Sequence, residues 1–186
     1  MKAETVIATH GNTDFDAFAA MLAARLLYPG AVVALAGALN RNVREFARLH
    51  ADELGAVEAS RLDPDAIRRL IVVETVHASR LGELEPVALD PAVEKVVFDH
   101  HGGEAPGWAG EHVVFSEDGA LTTTFVSILA ERELQVGPLE ATAFALGIHE
   151  DTGSLTYPTT TRRDAEALAW CLRHGARQQE LAHYLH

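Results

Sequence analysis

Acidic residues and histidines gather in four short clusters of this 186-residue chain. Carboxylates mixed with imidazoles suit Mn²⁺, Zn²⁺ or Fe²⁺ better than Mg²⁺ or Ca²⁺. Enough ligands are present for two ions, and two ions about 3.5–4 Å apart can activate a water molecule and stabilise the charge on a phosphoryl group. The pattern therefore predicts a metal site suited to phosphate chemistry. The clusters are His10-x-x-x-Asp14-x-Asp16, Glu74, Asp99-His100-His101 and His149-Glu150-Asp151.

Each cluster also has a purely structural interpretation. Asp16 is suited to cap the helix that follows it, and Asp14 to form an Asx-turn. Glu74 fits a solvated strand end, the histidine pair fits a polar loop, and Asp151 lies in a sequence typical of a helix end. A structural domain without any site needs all of these interpretations at once. Their joint occurrence favours a metal site.

The order of apolar segments predicts an α/β fold that positions these clusters. Strands that alternate with helices predict a five-stranded, mainly parallel sheet with helices on both faces, followed by a helical C-terminal third. Three clusters directly follow predicted strands. Because ligands bind beyond the carboxyl ends of parallel strands, we expect these groups to share one rim of the sheet. The predicted strands are 5–9, 31–36, 70–73, 93–98 and 112–115, and the predicted helices are 16–28, 42–49, 64–69, 122–133, 138–149, 163–174 and 178–185.

Composition and charge exclude several classes of function. The net charge of −12 argues against an extended nucleic-acid surface, which needs a basic stripe. No run approaches the roughly 18 apolar residues of a membrane span, and the first residues lack the features of a signal peptide. The single cysteine, Cys171, excludes an internal disulfide and fits a small buried hydrophobic residue. We therefore expect one domain, residues 1–186, in the cytoplasm, with its oligomeric state open.

The four clusters lie in segments that resemble the motifs of the DHH phosphoesterase superfamily. These segments are THGNTDFDAFA (9–19), VVET (72–75), FDHHG (98–102) and GIHEDTGSLTY (147–157), in the order and spacing of the family. Further likeness, in NVREF, RLGEL, GALTTT and the segment from 159 to 176, points to one branch. That branch is the N-terminal DHH region of bacterial proteins that also carry CBS domains and a tRNA nucleotidyltransferase/poly(A) polymerase domain.

The resemblance implies a DHH-domain fold and a dinuclear site, commonly with Mn²⁺, and with Mg²⁺, Co²⁺ or Zn²⁺ as alternatives. Carried over by motif, His10 and Asp14 hold one metal ion. Asp16 and Asp151 hold the other, together with His100.

The resemblance also assigns the remaining acids and histidines. The acid of the second motif bridges the two ions, His101 faces the phosphate, and Asp99 orients a histidine of its own motif or joins the ligands. Family members usually have Asp in the second motif, whereas this chain has Glu74, which is longer by one methylene, about 1.5 Å. Family enzymes also carry a C-terminal substrate-binding domain, and we expect none within these 186 residues.

Two classes of function follow from these residues. In the first, the chain hydrolyses a small phosphodiester or phosphoanhydride by attack of a metal-bound hydroxide. Its substrates would be a short oligonucleotide, a cyclic dinucleotide, a nucleotide bisphosphate or a pyrophosphate-like compound. In the second, it is a non-catalytic metal- or nucleotide-binding module, or an accessory domain of a larger tRNA nucleotidyltransferase/poly(A) polymerase-type protein. Metal-dependent turnover distinguishes the two.

Overall fold

In the part of the chain that the structure describes, six short parallel strands form one central sheet. The computed structural model describes residues 1–110 and 112–185. The strand order is β3-β2-β1-β4-β5-β6, and all five neighbouring pairs are parallel. The strands are β1 (Thr5–Ala8), β2 (Val32–Leu35), β3 (Val57–Glu58), β4 (Arg69–Val73), β5 (Glu94–Asp99) and β6 (Val113–Phe115).

The five predicted strands are present, but the predicted strand count was wrong. The additional strand, β3, consists of two residues at the edge of the sheet, where Ala34 pairs with Val57 and Leu35 with Glu58. A two-residue edge strand has no room for the apolar run or alternation that marks a strand in sequence. Pairing with β2 alone defines it.

Eight α-helices surround the sheet in the described residues. The predicted helix over 64–69 is only a 3₁₀ turn, Pro64–Ala66, because the chain enters β4 at Arg69. After β6 the described chain contains only helices and their connections, as predicted for the C-terminal third. The helices are α1 (Phe15–Leu27), α2 (Arg41–Leu49), α3 (Ala51–Leu54), α4 (Glu85–Leu89), α5 (Leu121–Glu131), α6 (Pro138–Asp151), α7 (Arg162–Arg173) and α8 (Gln178–Leu185).

The two faces of the sheet are buried against different kinds of structure. Ile7 and Ile71 lie on the face packed by α1, α5 and α6, in the larger hydrophobic cluster, which also holds Cys171. Their strand neighbours Val6 and Leu70 point to the other face, which is covered by α4 and by 3₁₀ turns. Burial on both faces explains why the strands are continuous apolar runs. Within the described residues, no helix has the length and apolar content needed to cross a membrane.

A buried carboxylate ties α7 to the start of α5. Asp164 is fully buried and accepts hydrogen bonds from the backbone N–H groups of Gly119 (3.1 Å) and Ala120 (3.3 Å). It also accepts from the hydroxyl of Thr123 (2.6 Å) and from both the N–H and the hydroxyl of Thr161. The Asp164 carboxylate therefore holds both the start of α7 and the loop that precedes α5.

We expect Asp164→Ala to lower the free energy of unfolding by about 3 kcal/mol, because several buried N–H and hydroxyl groups lose their acceptor together. Urea denaturation measures the change. The control is Glu166→Ala on the same helix, which removes only an exposed ion pair to Arg162 and should cost about 0.5 kcal/mol or less. Equal effects of the two substitutions would contradict the assigned role of Asp164.

Candidate metal centre

The carboxyl ends of three adjacent strands bring the predicted clusters to one rim of the sheet. His10 follows β1, Glu74 follows β4, and Asp99 is the last residue of β5. The hydroxyl of Thr9 donates to the carbonyl of Val73 at 2.8 Å, which ties the end of β1 to the end of β4. Because β1, β4 and β5 are neighbours, side chains that leave these strand ends converge on one region.

His100 lies at the centre of this region. Its Nε2 is 3.2 Å from Asp151 Oδ2, 3.2 Å from Glu74 Oε1 and 3.9 Å from Asp16 Oδ2. Ligand atoms of Asp16, His100 and Asp151 lie within 4.8 Å of one another, which is close enough to hold one ion. The fourth residue, Glu74, extends the cluster towards His101.

A second group of possible ligands shares His100 with the first. Glu74, His100 and His101 offer ligand atoms within 4.8 Å of one another. Glu74 Oε1 faces His100, while Glu74 Oε2 is 3.6 Å from His101 Nδ1. The two carboxylate oxygens therefore point towards different imidazoles. The solvated strand end considered for Glu74 is wrong, since the residue is only 3% exposed.

Two of these atoms are buried without a hydrogen-bond partner, namely Glu74 Oε1 and His100 Nε2. They approach each other closely, yet their directions do not satisfy hydrogen-bond geometry. Orphaned polar atoms in a protein interior are costly and need a physical explanation. A cation between the side chains would satisfy both atoms, and a mixed carboxylate and imidazole set fits a divalent transition metal. The residues present therefore fit the metal that the motifs predict.

Burial and the interactions among the charged groups shift the pKa values of the residues in the cluster. Burial, and then the Asp16 carboxylate, raise the pKa of Glu74 well above its ordinary value. Burial also raises the pKa of Asp151, and His100 partly opposes this shift. Burial disfavours the charged form of His100, but the carboxylates of Asp151 and Glu74 outweigh it and raise the pKa of His100 to about 12. Without metal, a proton on His100 supplies the positive charge that these carboxylates require.

Asp16 is anchored by a helix other than its own. Its two carboxylate oxygens accept from the N–H groups of Leu121 (2.7 Å) and Thr122 (2.9 Å), at the N-terminus of α5. The sequence interpretation of Asp16 as the cap of α1 was wrong, because the helix begins one residue earlier, at Phe15. Asp14 is the N-cap, and its Oδ1 accepts from Ala17 N. The positive end of α5 thus stabilises the negative charge of Asp16.

His10 and Asp14, the predicted ligands of one metal ion, lie in neither group of ligand atoms. His10 is buried, and its Nδ1 is 2.9 Å from the carbonyl of Gly11. Asp14 is engaged as the cap of α1. Within residues 1–110 and 112–185, the observed groups hold the other predicted ligands, and the role of His10 and Asp14 in binding metal stays a prediction.

Asp99 orients His101, as one of its two predicted roles requires. Asp99 Oδ1 accepts from both the backbone N–H (2.7 Å) and the Nδ1 (3.0 Å) of His101. Burial alone would raise the pKa of Asp99, but these hydrogen bonds and the histidine charges hold the pKa below its usual value. The side chain of His101 is 60% exposed, so its imidazole faces the solvent side of the cluster.

Sequence reasoning missed the residue that holds His100 from behind. His100 Nδ1 is 3.1 Å from the backbone carbonyl of Asp118, so that Nε2 is turned towards the carboxylates. The Asp118 side chain in turn accepts from Thr124 (2.7 Å) and Ser116 (3.1 Å) and pairs with Arg163. Such a support fixes the tautomer and direction of a ligating imidazole. An Asp directly before GALTTT was the available signal, but without a partner in view it is typical of any turn.

A glycine on α6 brings the two halves of the first group together. A Cβ on Gly147 would lie 3.0 Å from Asp16 Cα, 3.0 Å from Phe15 O and 3.0 Å from Ala19 Cβ, all on α1. Gly147 therefore permits the close approach of α1 and α6. Asp151 lies four residues later, one helical turn along the same face, where it meets Asp16.

A solvent-accessible cavity of about 420 Å³ opens beside the cluster. The wall carries three acidic side chains as well as both histidines of the DHH motif. A volume of this size accommodates a phosphate with an attached group. The lining residues are His100, His101, Glu117, Asp118, Gly119, Asp151 and Thr159.

Two solved structures share this architecture. An exopolyphosphatase-related protein from Bacteroides fragilis has a TM-score of 0.79 at 16% identity, over 99% of this chain and 56% of that chain. A candidate family II inorganic pyrophosphatase from Methanococcus jannaschii has a TM-score of 0.72 at 20% identity, over 100% of this chain and 60% of that chain. These similarities establish the fold.

Two curated proteins are similar in sequence. An A-adding tRNA nucleotidyltransferase from Geobacter sulfurreducens is 38% identical over 172 residues, which is 92% of this chain and 20% of that protein. The corresponding enzyme from Aquifex aeolicus is 31% identical over 179 residues, 96% of this chain and 20% of that protein. The chain thus spans about a fifth of the length of the curated relatives it matches. No protein-family model matches the chain.

With its four motifs placed on this fold, the chain resembles the DHH phosphoesterase superfamily. Its sequence is similar to about a fifth of each of the two A-adding tRNA nucleotidyltransferases. The predicted resemblance is confirmed at both levels.

The raised pKa values predict that the metal-free protein loses stability as the pH rises. His100 stabilises the fold fully below its ordinary pKa of 6.5, and this contribution declines as the pH rises towards 12. Glu74 and Asp151 act in the same direction, because the folded state binds protons that the unfolded state releases. In EDTA, we therefore expect Tm to fall steadily between about pH 6.5 and pH 8.5.

Mn²⁺ should weaken or reverse this trend, since metal competes with protons for the same atoms and binds more tightly at higher pH. Thermal denaturation with EDTA and with Mn²⁺ across the range measures both effects. His100→Ala should flatten the dependence in EDTA. A dependence that is identical with and without Mn²⁺ would exclude metal binding at these residues.

We expect Gly147→Ala to weaken Mn²⁺ binding about tenfold or more, because the added methyl group pushes Asp151 away from Asp16 and ligand positions tolerate only about 0.5 Å. Calorimetric titration with Mn²⁺ measures the affinity. Gly107→Ala is the matched control, because its added methyl group meets no atom within 4 Å. Unchanged affinity in a folded Gly147→Ala protein would show that the helix approach does not set the site.

Proposed function

We propose that the chain is a metal-dependent phosphoesterase domain that hydrolyses a small phosphodiester or phosphoanhydride, with Mn²⁺ as the first ion to test. One observation carries the proposal: the buried, unpartnered atoms Glu74 Oε1 and His100 Nε2 lie within two adjacent ligand groups beside an accessible cavity. The fold, shared with phosphatase-type proteins, supports the same reaction class.

The residues that would hold metal are those of the two groups. Asp16, Asp151 and His100 would hold one ion, and Glu74 and His100 would contribute to the other, whose third member, His101, is bonded to Asp99 through Nδ1. When bound, divalent metal lowers the pKa of water towards neutrality and stabilises negative charge on phosphoryl oxygens. In this proposal His100 is the residue that the two groups share, and the two oxygens of Glu74 face His100 and His101 respectively.

The surrounding side-chain and backbone groups orient the residues of the site. Asp99 fixes the Nδ1 of His101, so that Nε2 is the ring atom left to contact a phosphoryl oxygen in the cavity. The carbonyl of Asp118 holds His100 in its place. The backbone amides of Leu121 and Thr122, at the start of α5, fix the position of the Asp16 carboxylate. Fixed dipoles of this kind are preorganised, so they need no rearrangement during the reaction.

A second candidate function rests on the relatives rather than the site. The matched proteins are named A-adding tRNA nucleotidyltransferases, and this chain covers a fifth of each. In that alternative, the domain serves a larger tRNA-processing protein by binding metal or nucleotide without turnover. Stoichiometric nucleotide binding without hydrolysis would favour it.

The test is hydrolysis of bis-p-nitrophenyl phosphate during a Mn²⁺ titration. We expect turnover that requires Mn²⁺ and falls at least about 100-fold in His100→Ala, since losing a ligand costs no less than losing its support. The matched control is His183→Ala, because His183 pairs with Glu45 on the surface and lies in neither ligand group. Mn²⁺ binding confirmed by calorimetry, without turnover, would reject the catalytic proposal and leave the binding module.

A further inference from the structure

The segment that follows α6 is flanked at both ends by residues that line the cavity beside the metal centre. Asp151, the last residue of α6, and Thr159 both line the cavity beside the histidines. The residues between them form a loop that we call the 152–158 loop. It carries two large exposed apolar side chains, Leu155 (37% exposed) and Tyr157 (53% exposed). The site residues described above do not account for either of them.

The 152–158 loop has a fixed conformation. Thr152 is fully buried, and its hydroxyl donates to Ile148 O and accepts from Leu155 N at 3.1 Å. Its carbonyl accepts from the N–H groups of Thr156 (2.9 Å) and Tyr157 (3.0 Å). One buried residue therefore holds most of the loop. The position of Tyr157 is set before any ligand arrives, which lowers the entropy cost of binding.

The loop also contains three successive left-handed residues. The φ angles are 53° at Gly153, 55° at Ser154 and 67° at Leu155. For the two non-glycine residues this backbone is strained, and such strain concentrates at ligand sites. The ring of Tyr157 lies against Gly153, where an added Cβ would be 2.4 Å from a ring carbon. The ring is thus supported by the backbone and still half-exposed.

A supported, exposed aromatic ring, on a loop flanked by two residues that line a phosphate-sized cavity, suits one class of ligand. Nucleobases stack on such rings whatever their identity. Outside the two ligand groups the cavity wall still carries the carboxylates of Glu117 and Asp118, of which Asp118 pairs with Arg163, and the whole chain carries a charge of −12. Away from the metal groups, this wall repels an inorganic polyphosphate, whereas a neutral base adds no charge.

We propose that Tyr157, with Leu155 beside it, is a stacking platform for the nucleobase of the substrate. This inference rests on the proposed function and narrows its substrates to nucleotide-derived phosphoesters, in preference to pyrophosphate or polyphosphate. The base contacts the 152–158 loop while its phosphate lies in the cavity at the histidines.

The test compares two ligands that differ only in the base. Calorimetry with the Mn²⁺-loaded chain measures the affinity of adenosine 5′-monophosphate and of ribose 5-phosphate. We expect the nucleotide to bind about tenfold or more tightly, the gain that stacking of one base provides. Tyr157→Ala should remove this preference without changing the affinity for ribose 5-phosphate, and Tyr157→Phe should retain it. Leu172→Ala, which truncates an exposed apolar side chain on α7, is the control.

Three outcomes would overturn the proposal: equal affinities for the two ligands, a preference that survives Tyr157→Ala, or no binding of either ligand at millimolar concentration. Turnover of bis-p-nitrophenyl phosphate by the unmodified chain tests the proposed function separately. Turnover with no preference for the base therefore rejects the platform alone. A base preference without turnover keeps the platform and rejects catalysis.

Discussion

The attraction between one buried imidazole and the carboxylates around it organises this molecule. Asp16, Glu74 and Asp151 belong to α1, the end of β4 and α6, and their oxygens meet at His100. Buried carboxylates at this spacing repel one another, so the fold tolerates them only with a positive charge between them. The elements that supply these side chains are therefore constrained to one another by charge as well as by apolar packing.

The fold offsets the cost of the cluster with backbone dipoles and buried supports. The N-terminus of α5 donates to Asp16, while Asp164 fixes the loop that begins this helix through Gly119 and Ala120. The same loop presents the carbonyl of Asp118 to His100. A residue on α7 that never touches the cluster thus positions two of its members. This coupling explains why so many hydrogen bonds converge on a short loop between β6 and α5.

Much of this could be predicted from the sequence, because the governing interactions are local or periodic. Apolar runs identify buried parallel strands, and polar residues directly after them mark the rim where ligands gather. The edge strand β3 could not be found, since two residues carry no periodicity and only the pairing with β2 defines them. The partner of Asp16 was equally hidden: its acceptor geometry depends on amides more than 100 residues away, which no local pattern encodes.

Glu74 shows how a departure from the family pattern is accommodated. Its backbone adopts a left-handed φ of 64°, in which Cβ crowds the following carbonyl oxygen at a cost on the order of 1 kcal/mol or more. Its N–H nevertheless bonds to Phe98 O at 3.0 Å, so the strained residue is held by β5. From this position both oxygens reach towards histidines, at 3.2 Å and 3.6 Å. An aspartate on the same backbone would fall short by about 1.5 Å, which exceeds the precision that a metal site tolerates. The extra methylene of Glu74 therefore compensates for the position of the end of β4. With it, the carboxylate oxygens still reach His100 and His101.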